Sequence, residues 1–119
     1  MLPNTNEITF EYHGDITLFD IRGDITSFSE PFVNDAYKNA NDQGAKKILL
    51  KIDQKSYINS GGIAILIQLL TQTQKNEQVI GIAGVSNHYK KILSMVGITK
   101  FAKIHDSVET ALDVMAKSG

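Results

Sequence analysis

Apolar and polar residues alternate from the start of the chain. Ile8, Phe10 and Tyr12 interleave with Glu7, Thr9 and Glu11, the period of a strand with one wet face. His13-Gly14-Asp15 supplies turn chemistry, and Ile16, Leu18, Phe19 and Ile21 predict a second strand completing a hairpin. Past Gly23 and Asp24 the period lengthens. Phe32 or Val33, then Ala36, Tyr37 and Ala40, recur at helical spacing; Ser29 is the expected N-cap, Glu30 and Pro31 fill the first turn, and Gly44 ends the helix. Residues 47–53 read as a short buried strand between charged ends. Tyr57-Ile58-Asn59-Ser60-Gly61-Gly62 opens a helix that runs to about Lys75. A strand over 78–83 ends at Gly84. A helix over 87–96 places Tyr89, Ile92, Leu93 and Val96 on one side, with Gly97 as its stop, and 101–104 is a brief strand. Asp106, with Glu109 three residues on, predicts the cap of a last helix whose stripe is Val108, Ala111, Leu112 and Met115.

The order is therefore β-β-α-β-α-β-α-β-α. Strands alternating with helices of this length call for right-handed crossovers. The expected fold is α/β, one domain over residues 1–119, with a mixed, mostly parallel sheet of about five strands and about four helices.

The helix from Ser60 is unusually broad in its apolar surface. Ile63, Leu66, Ile67 and Leu70 share one face, while Ile65 and Leu69 lie on another. That second face covers either a neighbouring helix of the same domain or a partner protein. Asn59 and Ser60 are both N-cap residues by type, and Gly61 and Gly62 leave little side chain over the helix's free N–H groups. A phosphate on Ser60 would sit at the favourable end of the helix dipole, so it should leave the fold intact. It would put a charge of about −1.5 to −2 into whatever docks there. The plainer alternative is that Ser60 only starts a helix.

Composition narrows the field. Twelve basic and thirteen acidic residues give a formal net charge of −1, which does not suit a dedicated nucleic-acid binder. The charges are uneven along the chain: residues 1–45 hold eight acids and two bases, residues 46–103 nine lysines and two acids. These blocks read as solvated faces. With no cysteine, disulfides and thiolate chemistry are excluded, which suits a reducing cytoplasm. No apolar run is long enough to insert in a bilayer, and the first residues lack a signal-peptide pattern. His13, His88 and His105 have no ligand spacing, so neither metal nor cofactor is expected. Ser60 has no expected His beside it, there is no phosphate loop or dinucleotide fingerprint, and Asp53 stands without the acidic pair of a receiver domain. An enzyme is not expected. A homodimer is left open.

The string from Tyr57 to Leu66, the element order, Gly23-Asp24-Ile25 at the end of the second strand, and the stretch from Val96-Gly97-Ile98 through Ala111-Leu112 resemble the STAS domain, in particular the bacterial anti-sigma factor antagonists. The resemblance covers nearly the whole chain. It implies that Ser60 is phosphorylated by an anti-sigma factor that is itself a serine kinase of the GHKL type. The unphosphorylated form would capture that kinase, phosphorylation would release it, and a cognate phosphatase would reset it. Asn59, Ser60, Gly61, Gly62, Ile65, Leu69, Asp24 and Thr26 are then the expected partner-binding residues. Asn59 stands where the family has an acid, and Thr26 where many antagonists have Asp. The alternative is a structural STAS subunit of a lipid-transport ABC complex or stress-signalling assembly, with no switch.

Overall fold

The first strand, β1 (Glu7–His13), turns back antiparallel into β2 (Ile16–Arg22) through Gly14, whose φ of 62° the tight turn requires. The computed structural model describes residues 5–117. After β2 follow α1 (Glu30–Asp42), β3 (Lys47–Ile52), α2 (Ser60–Lys75), β4 (Val79–Ala83), α3 (Asn87–Met95), β5 (Lys103–His105) and α4 (Val108–Ala116). The five strands lie in chain order, with β2 to β5 parallel. The mixed α/β sheet expected from the periodicities is the observed one.

Three same-handed crossovers between successive neighbours place α1, α2 and α3 on one face of the sheet. Their apolar sides meet Phe19, Ile21, Ile48, Leu50, Ile52, Ile80 and Ile82 in the main core. The other face is covered by α4 alone, which packs Ala111 and Met115 on Ile16, Leu18, Leu49 and Ala83. Lys47 ties that helix down. Its buried ammonium donates to the Met115 carbonyl at 2.8 Å and pairs with Asp15 at 3.2 Å. The cation thereby meets a carbonyl in the last turn of the helix, where the dipole favours positive charge.

Four local expectations need correction. Ser29 precedes α1 but makes no cap with its side chain. A one-turn 3-10 helix (Ser27–Ser29) comes first, where the Thr26 hydroxyl accepts from the Phe28 N–H and Ser29 Oγ accepts from the Thr26 N–H. The cap of α4 is Ser107, accepting from the Thr110 N–H, while Asp106 is drawn to Lys90 on α3. Residues 98–100 form a second 3-10 turn, so β5 starts at Lys103 rather than 101. Finally, Ile65 and Leu69 are only 6% and 4% exposed. As the middle helix of a three-helix layer, α2 has neighbours on both flanks, so its second apolar face belongs to the core and is closed to a docking protein.

Among the described residues no helix is long and apolar enough to cross a membrane.

Candidate functional site

Two loops leaving the C-terminal ends of β2 and β3 are laced together to build the start of α2. The Ile25 N–H donates to the Tyr57 carbonyl (2.8 Å) and the Asn59 N–H to the Ile25 carbonyl (3.2 Å), forming a parallel bridge of Ile25 with Ile58. Both isoleucines are buried, which anchors the lacing in the core. Around the bridge, Ser56 Oγ donates to the Gly23 carbonyl (2.9 Å) and the Tyr57 N–H to Asp24 Oδ1 (3.0 Å). Asp24 and Thr26 thus hold this loop pair in shape: the first through its carboxylate, the second by capping the 3-10 turn.

The cap of α2 is Asn59, not Ser60. Its Oδ1 accepts from the Gly62 N–H at 2.9 Å, and its carbonyl takes the Ile63 N–H. An amide oxygen at this position does what a carboxylate oxygen would do for the helix. Ser60 becomes the first helical residue, exposed, and among the described residues nothing hydrogen-bonds to its hydroxyl. Of the first four N–H groups of the helix start, those of Asn59 and Gly62 are satisfied, leaving the Ser60 and Gly61 N–H groups without a protein acceptor among the described residues.

The two glycines serve packing more than access. A β-carbon on Gly62 would lie 2.0 Å from the Ile25 carbonyl oxygen, and one on Gly61 would lie 3.0 Å from the Ser27 backbone nitrogen and Cβ. The space beside the helix start is therefore filled by the 25–27 loop, and Gly62 is buried. The open side is the one that Ser60 faces.

Sequence patterning did not single out the aromatic residues near this point. Phe28 is 59% exposed, one residue past the Ser27 that abuts Gly61, and Tyr57, three residues before Ser60, is 56% exposed. Tyr57 stands edge-on to Tyr89 with ring centroids 6.3 Å apart, and Tyr89 meets His88 at 5.0 Å, which brings the first turn of α3 beside the loop. Large exposed rings next to a free hydroxyl are what a protein contact uses, since aromatic groups offer much area at little entropic cost. Among the described residues there is no group of three or more His, Cys, Asp or Glu able to hold a metal ion.

Compared with known proteins, the family model of the STAS domain matches residues 7–111. The fold is similar to that of an anti-sigma factor antagonist from Mycobacterium paratuberculosis, at 15% identity and a TM-score of 0.80 over 98% of both chains. It is similar also to the anti-sigma factor antagonist SpoIIAA in its unphosphorylated form, at 12% identity and a TM-score of 0.67 over 95% of this chain and 100% of that one. The phosphorylated form of SpoIIAA, a Bacillus cell fate determinant, matches at 13% identity and a TM-score of 0.65 over 92% and 99% of the two chains. At such identities the likeness is one of fold.

Proposed function

Since the chain belongs to the STAS domain family, we propose that it is a partner-switching module of the anti-sigma factor antagonist type, controlled by phosphorylation of Ser60. Unphosphorylated, it binds a serine-kinase anti-sigma factor of the GHKL type in the cytoplasm and so frees a sigma factor for transcription. Phosphorylated, it lets go, and a cognate phosphatase restores it. It acts by binding and catalyses nothing itself.

One observation supports this above the others: an exposed, uncommitted hydroxyl on the first residue of a rigidly held helix, beside two N–H groups without acceptors. A phosphate there meets those donors and the positive end of the helix dipole, gaining roughly 0.3–1 kcal/mol, so the scaffold tolerates it. A protein seated over Phe28, Tyr57 and the neutral hydroxyl would have to strip water from a dianion instead. Without Arg or Lys in the right place that costs several kcal/mol, enough to abolish micromolar binding. Asp24, Thr26, Asn59, Gly61 and Gly62 contribute by fixing the loops that present this surface.

The test is intact mass after incubation with ATP and an anti-sigma serine kinase of the GHKL type. One phosphate on the wild type and none on Ser60→Ala is expected. Full modification of Ser60→Ala would move the site elsewhere, and no modification of either would favour the structural subunit.

A further inference from the structure

The two edges of the sheet are guarded differently. The β5 edge is three residues long and carries Lys103, two features that discourage another strand from adding to it. The β1 edge has no such protection. Its seven residues pair with β2 without interruption or bulge, contain no proline, glycine, lysine or arginine, and have no strand on their other side among the described residues. An edge of that length leaves a row of backbone donors and acceptors open to a further strand.

The side chains add to the case. Ile8 and Phe10 are half-buried, and next to them an open groove of about 340 Å³ runs between β1 and α1, lined by Ile8, Phe10, Phe32 and Ala36 and by the polar Asn6, Asp35 and Asn39. Tyr12 is 59% exposed. From these features we infer that β1 pairs antiparallel with β1 of a second copy, about a two-fold axis at Phe10, joining two sheets into one of ten strands.

The register selects the occupant. A two-fold perpendicular to the sheet keeps the helical layers on one side, so odd residues oppose odd and even oppose even. Centred on Phe10, all seven residues pair: Glu7 faces the partner's His13, Thr9 the partner's Glu11, Ile8 the partner's Tyr12, and Phe10 the partner's Phe10. Shifting by one step either way shortens the ladder and opposes carboxylates. One shift sets Glu7 against the partner's Glu11, the other sets Glu11 against the partner's Glu11. Like charges directly opposite are unfavourable, whereas aromatic and aliphatic pairs are favourable. The strand thus complements itself in one register, and each exposed Tyr12 gains a cross-strand neighbour. This surface does not involve Ser60.

Sedimentation velocity over the micromolar to millimolar range tests it, with circular dichroism and melting temperature as fold controls. Wild type should dimerise reversibly. Thr9→Glu, which opposes two carboxylates twice per dimer, should raise the dissociation constant about tenfold, while Thr9→Lys should hold or lower it. Should either variant fail to fold, amide hydrogen exchange of the wild type decides. The outward-facing N–H groups of β1 should gain protection as concentration rises. A wild type monomeric throughout, or a dimer indifferent to both substitutions, overturns the inference, as does β1 protection appearing only when an extended peptide of another protein is added.

Discussion

The Ile25 carbonyl oxygen occupies the space that a β-carbon on residue 62 would need, with a separation of 2.0 Å. The same carbonyl accepts from the Asn59 N–H, so the approach that excludes a side chain also joins the two loops. Gly62→Ala should force the 25–27 loop off the helix, at a cost of about 1–3 kcal/mol. Gly61→Ala, whose β-carbon would meet Ser27 at 3.0 Å, should cost less. Urea denaturation of the two variants gives the comparison.

Which residue caps α2 has a direct consequence for stability. Asn59→Ala removes the oxygen that accepts from the Gly62 N–H and should cost about 0.5–2 kcal/mol. Ser60→Ala removes an exposed hydroxyl without a partner and should change stability by less than about 0.5 kcal/mol. Thermal denaturation should therefore separate two adjacent residues that look equivalent by type. Any loss of partner binding in Ser60→Ala or Ser60→Asp can then be assigned to the surface.

Leu69 offers a sharper contrast between core and docking face. At 4% exposure, replacing it with lysine puts an unpaired charge among apolar side chains, and the domain should fail to fold. Leu69→Ala should fold but lose about 2–5 kcal/mol. A Leu69→Lys protein with a wild-type melting curve would return that face to the surface.

A pH dependence should come from β5. Burial, and then the nearby Lys103 charge, hold the His105 imidazole below its ordinary value of 6.5. The unfolded chain therefore takes up a proton before the folded one does, and stability falls as the pH drops below about 6.5. At lower pH Asp106 acts in the same sense, its carboxyl held below 3.8 chiefly by the hydrogen bond from Lys90. The melting temperature should decline between about pH 7 and pH 5, and His105→Gln should flatten that decline. Parallel curves for the two proteins would remove His105 as the cause.

The periodicities of the chain carried the element order and both ends of α2, because its cap, apolar pattern and terminal Lys75 are local signals. The last cap slipped by one residue because Asp106 and Ser107 are both good caps by type. Only the position of Lys90, sixteen residues away, draws Asp106 off. The breadth of α2 was visible, but whether Ile65 and Leu69 met a helix or a partner depended on neighbours far along the chain. For the same reason, the bridge of Ile25 with Ile58 and the exposure of Phe28 and Tyr57 had no local signature. Ser60 stood out through the residues beside it, whereas its freedom from hydrogen bonds follows from Asn59 taking the capping role.

The most direct test of the switch at Ser60 is a binding titration of the GHKL-type kinase against the unphosphorylated protein and the protein phosphorylated at Ser60, with both forms shown to melt alike. The expected result is micromolar or tighter binding of the first and a loss of about a hundredfold or more for the second. Equal affinity for the two forms would contradict the switch and leave the domain an architectural role.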